Sequence, residues 1–254
     1  MSLKTKYKQN ENDIKTEIEN KLSEKFSNLG LNDNSVDNSV NNFVNNSKKV
    51  YIITSIDIGV HNLGVSVSSV YENFDLEEIF WIDLYNITDF THNRIKKNDC
   101  KLYHSRTFSD WMDHFFQEYE EFLAKSDFIL VERQPPAGFT VVEQLIFSKF
   151  RSKCVLINPV NYHMFFHMRD LDYENRKKKS EIIGMNFIED PELKKQIGYY
   201  HRQHDITDSI CMLIYWLDKK KQNFIKQQKI DYANSLNFKG LNINDWIQQF
   251  RYVS

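Results

Sequence analysis

From residue 50 onward, apolar runs with strand periodicity alternate with segments of helical spacing, and their order predicts an architecture. Val50 to Asp57 is a β-rich run that ends at Gly59, and Leu63 to Val70 alternates as a second strand, so the two read as a hairpin. Glu78 to Leu84 supplies a third antiparallel strand, and residues 86 to 106 read as a long polar loop. Ser109 is placed to cap a helix in which Trp111, Phe115, Tyr119, Phe122 and Leu123 share a face. Asp127 to Val131 is then a short buried strand that delivers Glu132. Pro135, Pro136 and Gly138 break the chain, and Thr140 with Glu143 has the pattern of a capping box opening the next helix. Cys154 to Ile157 is a further strand, a charged helix lies near 176 to 188, and Ile206, Ile210, Leu213, Ile214 and Leu217 mark a core-facing helix over 205 to 217. Three antiparallel strands followed by strand-helix repeats predict an α/β fold: a mixed sheet with helices on its faces.

The flanks differ from this body. Residues 1–48 are a polar appendage, with eleven Asn in the first 46 positions and a low-complexity stretch from Leu31 to Lys49. Within it Ile14, Ile18, Leu22 and Phe26 recur every fourth residue before Gly30, which predicts one amphipathic helix. Residues 49–254 form the main domain, and Leu241, Trp246, Ile247 and Phe250 suggest a C-terminal helical extension of it.

Composition narrows the function classes. With 41% hydrophobic and 14% aromatic residues the chain can bury a real core, and a net charge of −2 confines any nucleic-acid contact to local basic patches. The densest are Arg176 to Lys179, Lys194 with Lys195, and Lys219 to Lys221; each is also what a solvated helix face looks like. Cys100, Cys154 and Cys211 form no CxxC pair, which points to a reducing compartment. No apolar run approaches the roughly 18 residues of a membrane span, and the polar N-terminus has no signal-type segment, so a cytoplasmic, non-secreted protein is expected.

Four carboxylates carry the candidate chemistry: Asp57, Glu132, Asp205 and Asp208, each at the edge of an apolar run. Glu132 is the most telling, because a carboxylate closing Phe-Ile-Leu-Val is unfavourable near a core unless it is paired. Asp205 and Asp208 are three apart on the leading turn of a helix and share a face; ordinary N-terminal capping would place acids there too. An all-oxygen donor set suits Mg²⁺. His201 and His204 stand close together, but no further Cys or His lies at zinc-ligand spacing, so no zinc site is expected.

Ile-Asp-Ile-Gly-Val-His-Asn-Leu-Gly, Val-Glu-Arg-Gln and His-Asp-Ile-Thr-Asp-Ser resemble the motifs of the RuvC-like Holliday-junction resolvases, particularly the branch in poxviruses and other large DNA viruses, over roughly residues 50 to 218. The resemblance implies a ribonuclease H-like fold, a mixed five-stranded sheet with helices on both faces. It also implies a homodimer that cuts four-way and other branched DNA by paired symmetric nicks, at the viral replication site if the source is viral. Asp57, Glu132, Asp205 and Asp208 would be its catalytic metal-binding acids, holding two Mg²⁺ per site, for which Mn²⁺ can substitute. The family places a basic residue on the helix before the last motif. In Arg-Lys-Lys-Lys-Ser-Glu-Ile-Ile the first choice is Lys179, Lys178 fits nearly as well, and Arg176 and Lys177 are candidate DNA contacts. Phe139 stands where a wedge into an opened junction would sit, or where an aromatic would pack under the following helix.

Two rivals remain. An actin-like kinase or ATPase shares Asp-x-Gly-x-x-Asn-x-Gly, but needs Gly-rich phosphate loops that seven isolated glycines do not provide. A non-catalytic DNA-binding or interaction protein on the same fold would have no need of all four acids.

Overall fold

The computed structural model describes residues 50–89 and 100–235. The appendage, the boundary near residue 48 and the C-terminal extension expected from the sequence lie outside the described residues. The strands are β1 (Val50–Asp57), β2 (Leu63–Tyr71), β3 (Leu76–Tyr85), β4 (Phe128–Glu132) and β5 (Cys154–Ile157). The helices are α1 (Phe108–Glu118), α2 (Glu120–Lys125), α3 (Thr140–Lys149), α4 (Pro159–Phe165), α5 (Tyr173–Phe187), α6 (Pro191–Ile197) and α7 (Gln203–Ser235).

The five strands form one sheet in the order β3-β2-β1-β4-β5, with the first three antiparallel and β1, β4 and β5 parallel. This is the mixed ribonuclease H-like arrangement expected from the motifs. The period of two along β1 divides its side chains between two cores. Ile52 and Ile56 pack with Met112 and Phe115 of α1 and Val142 of α3, whereas Ile53 joins Ile206 and Ile210 of α7 on the opposite face. Both faces are covered, so β2 is buried along almost its whole length.

The α7 face owes its shape to small residues. A Cβ on Gly64 of β2 would stand 2.0 Å from the Asp205 carbonyl oxygen, so only glycine lets the first turn of α7 lie this close to the sheet. Two positions along β2, the hydroxyls of Ser66 and Ser209 pair at 2.8 Å. Gly184 of α5 does the same between helices, since a Cβ there would meet the Thr207 side chain at 2.5 Å.

Several boundaries differ from those the sequence suggested. Thr107, not Ser109, caps α1, its hydroxyl accepting the Asp110 amide proton. Thr140 and Glu143 form no capping box: Phe139 occupies the N-cap without a side-chain bond, and Glu143 is buried, accepting the Gln134 amide at 2.6 Å instead. The last helix continues to Ser235, 33 residues in all, because beyond Leu217 it leaves the sheet and its polar residues face solvent. The short helices α4 and α6 were not anticipated, although each has an Asn or Asp cap directly before a proline at its first position.

Gly64→Ala is expected to destabilise the protein by about 1–3 kcal/mol, since the clash is with backbone that no rotamer change can relieve. Gly198→Ala, at an exposed helix end, should cost much less. Urea unfolding of both variants decides; equal midpoints would show that α7 does not depend on this close approach.

Candidate active site

The register of the sheet brings two of the acids together. Ile56 of β1 lies beside Val131 of β4, so the next residues, Asp57 and Glu132, end adjacent parallel strands on the face toward α7. The two carboxyl groups act directly on one another, and side by side in a buried place they disfavour double ionisation. Burial first, and then the charges of Glu132 and Asp208, push Asp57 well above the usual carboxylate range. Burial also raises Glu132, against the opposing pull of Asp57, Gln134, Tyr162 and the Arg176 guanidinium. Gln134 Nε2 donates to Glu132 Oε2 at 2.7 Å, and the buried Tyr162 hydroxyl donates to Oε1 at 3.4 Å.

The other two acids ride on α7 and differ from one another. Asp208 accepts a short hydrogen bond from the buried Ser180 hydroxyl of α5, and burial pushes its pKa up to about 7. Burial would raise Asp205 as well, but His204 and Arg202 hold it below its ordinary value. Arg202 grips it with both arms of the guanidinium, Nε to Oδ2 at 2.6 Å and Nη2 to Oδ1 at 3.1 Å. His204 sits between acids, with Nε2 3.0 Å from Asp205 and Nδ1 3.6 Å from Glu181.

A cleft of about 260 Å³ opens beside this cluster, lined by Asp57, Asp205, Arg202, Phe139 and the turn from Ile58 to Asn62. Three buried or half-buried carboxyl groups with raised proton affinity, and oxygen donors alone, fit a hard divalent cation, which would displace protons from them. The fourth acid, Asp205, is already balanced by Arg202, and no three of the acids come within 4.8 Å of one another as Cys100, His104 and His114 do.

The sequence profile of the poxvirus A22 protein matches residues 51–220, two thirds of the chain and the whole span of the four acids. The chain belongs to the poxvirus A22 protein family. No curated protein sequence matches this A22 family member. Among solved structures it is similar to the Fowlpox virus resolvase in complex with Holliday-junction DNA, at 17% identity and a TM-score of 0.49, covering 66% of this chain and 97% of that one. It is also similar to Thermus thermophilus RuvC, at 9% identity and a TM-score of 0.43, covering 67% of this chain and 97% of that one.

The remaining expected residues are distributed unevenly in this A22 family member. Arg176 stands one helical turn before Ser180, and its charge lowers the proton affinity of Glu132. Lys179 instead donates to the His167 carbonyl at 3.2 Å, Lys178 is exposed, and Lys177 lies 3.8 Å over the Tyr173 ring. Phe139 is 44% exposed at the cleft, rather than packed beneath α3. The other basic runs meet local partners: Lys195 pairs with Glu192, Lys220 lies over Trp216, and Lys221 bonds Asp75. Sequence reasoning passed over Ser180, Gln134 and Arg202, although each stands inside or beside a motif; Tyr162 carries no local signal at all. The sequence suggested no zinc site; the donor atoms of Cys100, His104 and His114 nonetheless lie within 4.8 Å of one another.

Asp208 gives a pH prediction with a definite sign. It holds its proton to about pH 7 in the fold but to about 3.8 in the unfolded chain, so between those values the native state binds more protons and loses stability as pH rises. The raised Asp57 and Glu132 act in the same direction. For metal-free protein, the stability of wild type minus that of Asp208→Asn should therefore fall between about pH 4 and about pH 7 and stay level above. Denaturant titrations across pH test this; a difference that grows with pH would mean an ionised, favourably paired Asp208.

Proposed function

We propose that this chain is a metal-dependent endonuclease that resolves four-way and other branched DNA junctions by paired, symmetric nicks. The observation that carries the reading is membership of the poxvirus A22 family across the stretch in which Asp57, Glu132 and Asp208 converge on one sheet face. Asp57, Glu132, Asp208 and Asp205 would hold two Mg²⁺, with Mn²⁺ as a substitute. When bound, such ions supply activation of the attacking water and charge neutralisation at the leaving 3′ oxygen.

The protein's own side chains have separate tasks. Gln134 and Tyr162 fix the Glu132 carboxylate, and Ser180 fixes Asp208, so that neither must reorganise during the reaction. Arg202 offsets the charge of Asp205 at the cleft wall, and releases that carboxylate only if a cation takes over its role. Arg176 brings a fixed positive charge to the Glu132 side, suited to the scissile phosphate and to the charge that builds on it. Phe139, exposed at the mouth of the cleft, offers a ring on which an unpaired base can stack. Symmetric cutting needs two such sites in fixed relation, which a two-fold homodimer supplies. Among the described residues no helix is long and apolar enough to cross a membrane.

A synthetic four-way junction, a matched linear duplex and ATP, each with and without Mg²⁺, separate this reading from its rivals. Paired nicks on the junction alone are expected, abolished by Asp57→Asn and Glu132→Gln with losses of roughly 10³-fold or more. Junction binding without cleavage in any divalent metal would favour a non-catalytic binding protein, and ATP turnover a kinase-like one. A second comparison addresses the basic residue. Arg176→Ala should slow cleavage about 10²-fold, whereas Lys179→Ala should stay close to wild type; the reverse order, in single-turnover assays, would return the role to Lys179.

A further inference from the structure

Cys100, His104 and His114 place one thiol sulfur and two imidazole nitrogens within 4.8 Å of one another. Two of the three belong to the chain that leads into α1, and the third is on α1 itself. We propose that these three side chains form a zinc site that fastens this leading segment to the helix.

The donor types select the metal. A thiolate and two imidazoles suit borderline-soft Zn²⁺ and are poor ligands for Mg²⁺, so the two centres of this protein differ in chemistry. In a tetrahedral shell with bonds of about 2.0–2.3 Å, neighbouring donors stand about 3.3–3.8 Å apart, so the three donors, now within 4.8 Å of one another, would draw in around an ion. The three donors leave one tetrahedral position for water or a further donor.

The surroundings already orient the ligands. His114 is 1% exposed, and its Nε2 lies 3.0 Å from the Tyr103 carbonyl oxygen. A carbonyl can only accept, so Nε2 carries the proton and Nδ1 keeps the lone pair. An outer bond of this kind is the usual support of a metal-binding imidazole. The rings of His104 and His114 meet edge to face at 4.7 Å. Between them Arg106 takes a left-handed φ of 63°, and the Ser105 amide bonds the buried Asp110 carboxylate at 2.6 Å, so the turn that returns the chain to α1 is built before any ion arrives. Because α1 packs on the sheet face opposite α7, the zinc site is separate from the carboxylate cluster and its role is structural.

Elemental analysis of the purified full chain should find one zinc per protein, lost in Cys100→Ser and in His114→Gln and kept in Cys154→Ser and in the double variant Asp57→Asn/Glu132→Gln. Cobalt substitution should give a thiolate-to-metal charge-transfer band that disappears with Cys100. Since the His114 variant could fail to fold, a second measurement uses wild type alone. Zinc should protect Cys100 from alkylation, mapped by mass spectrometry, and leave Cys154 unchanged, while a chelator restores labelling. Zinc retained in Cys100→Ser, zinc that follows the carboxylates instead, or equal labelling of Cys100 with and without zinc would each overturn the assignment.

Discussion

The close approach of α7 to β2 is the constraint on which the candidate site depends. Asp205 and Asp208 are useful only if the first turn of their helix lies against the end of the sheet, and that separation is set by a missing Cβ at Gly64 and by the pairing of Ser66 with Ser209. The second missing Cβ, at Gly184, lets α5 close on α7 and carries Ser180 to Asp208. Four small residues on three elements therefore decide where two carboxylates stand. Bulk at any of them moves a helix, and the acids with it.

Packing of this kind brings like charges together, and the fold answers in two ways. On the strand ends and on Asp208 the carboxyl groups retain protons, because desolvation and mutual repulsion disfavour more than partial ionisation. Asp205 is instead kept ionised by an arginine three residues earlier on the chain. One site thus contains acids poised to give up protons and an acid already balanced by a cation of its own.

Much of this was legible in the sequence. β1 and β5 have the bounds that their apolar runs suggested, and period-two alternation in β1 and β4 is enough to place Asp57 and Glu132 on one face. What local patterns could not supply was orientation between elements. Arg176 and Lys179 lie in the same charged run, and only the tertiary arrangement shows that the charge of Arg176 reaches Glu132 while Lys179 bonds the His167 carbonyl. Thr140 and Glu143 have the spacing of a capping box, yet the tertiary need for a partner at the Gln134 amide drew Glu143 inward. The Cys100, His104 and His114 grouping is not legible in the sequence because two of its three residues lie in irregular chain, where no periodicity announces which side chains will meet.

At the proposed metal site, the raised proton affinity of Asp57 and Glu132 would make loading an exchange: a divalent cation would enter only as a proton leaves. Protons and a bound metal would thus compete for the same oxygens, and acidification would act on the proposed activity as an inhibitor does. A drop in local pH would empty the centre without unfolding the chain, and a return to neutrality would rearm it.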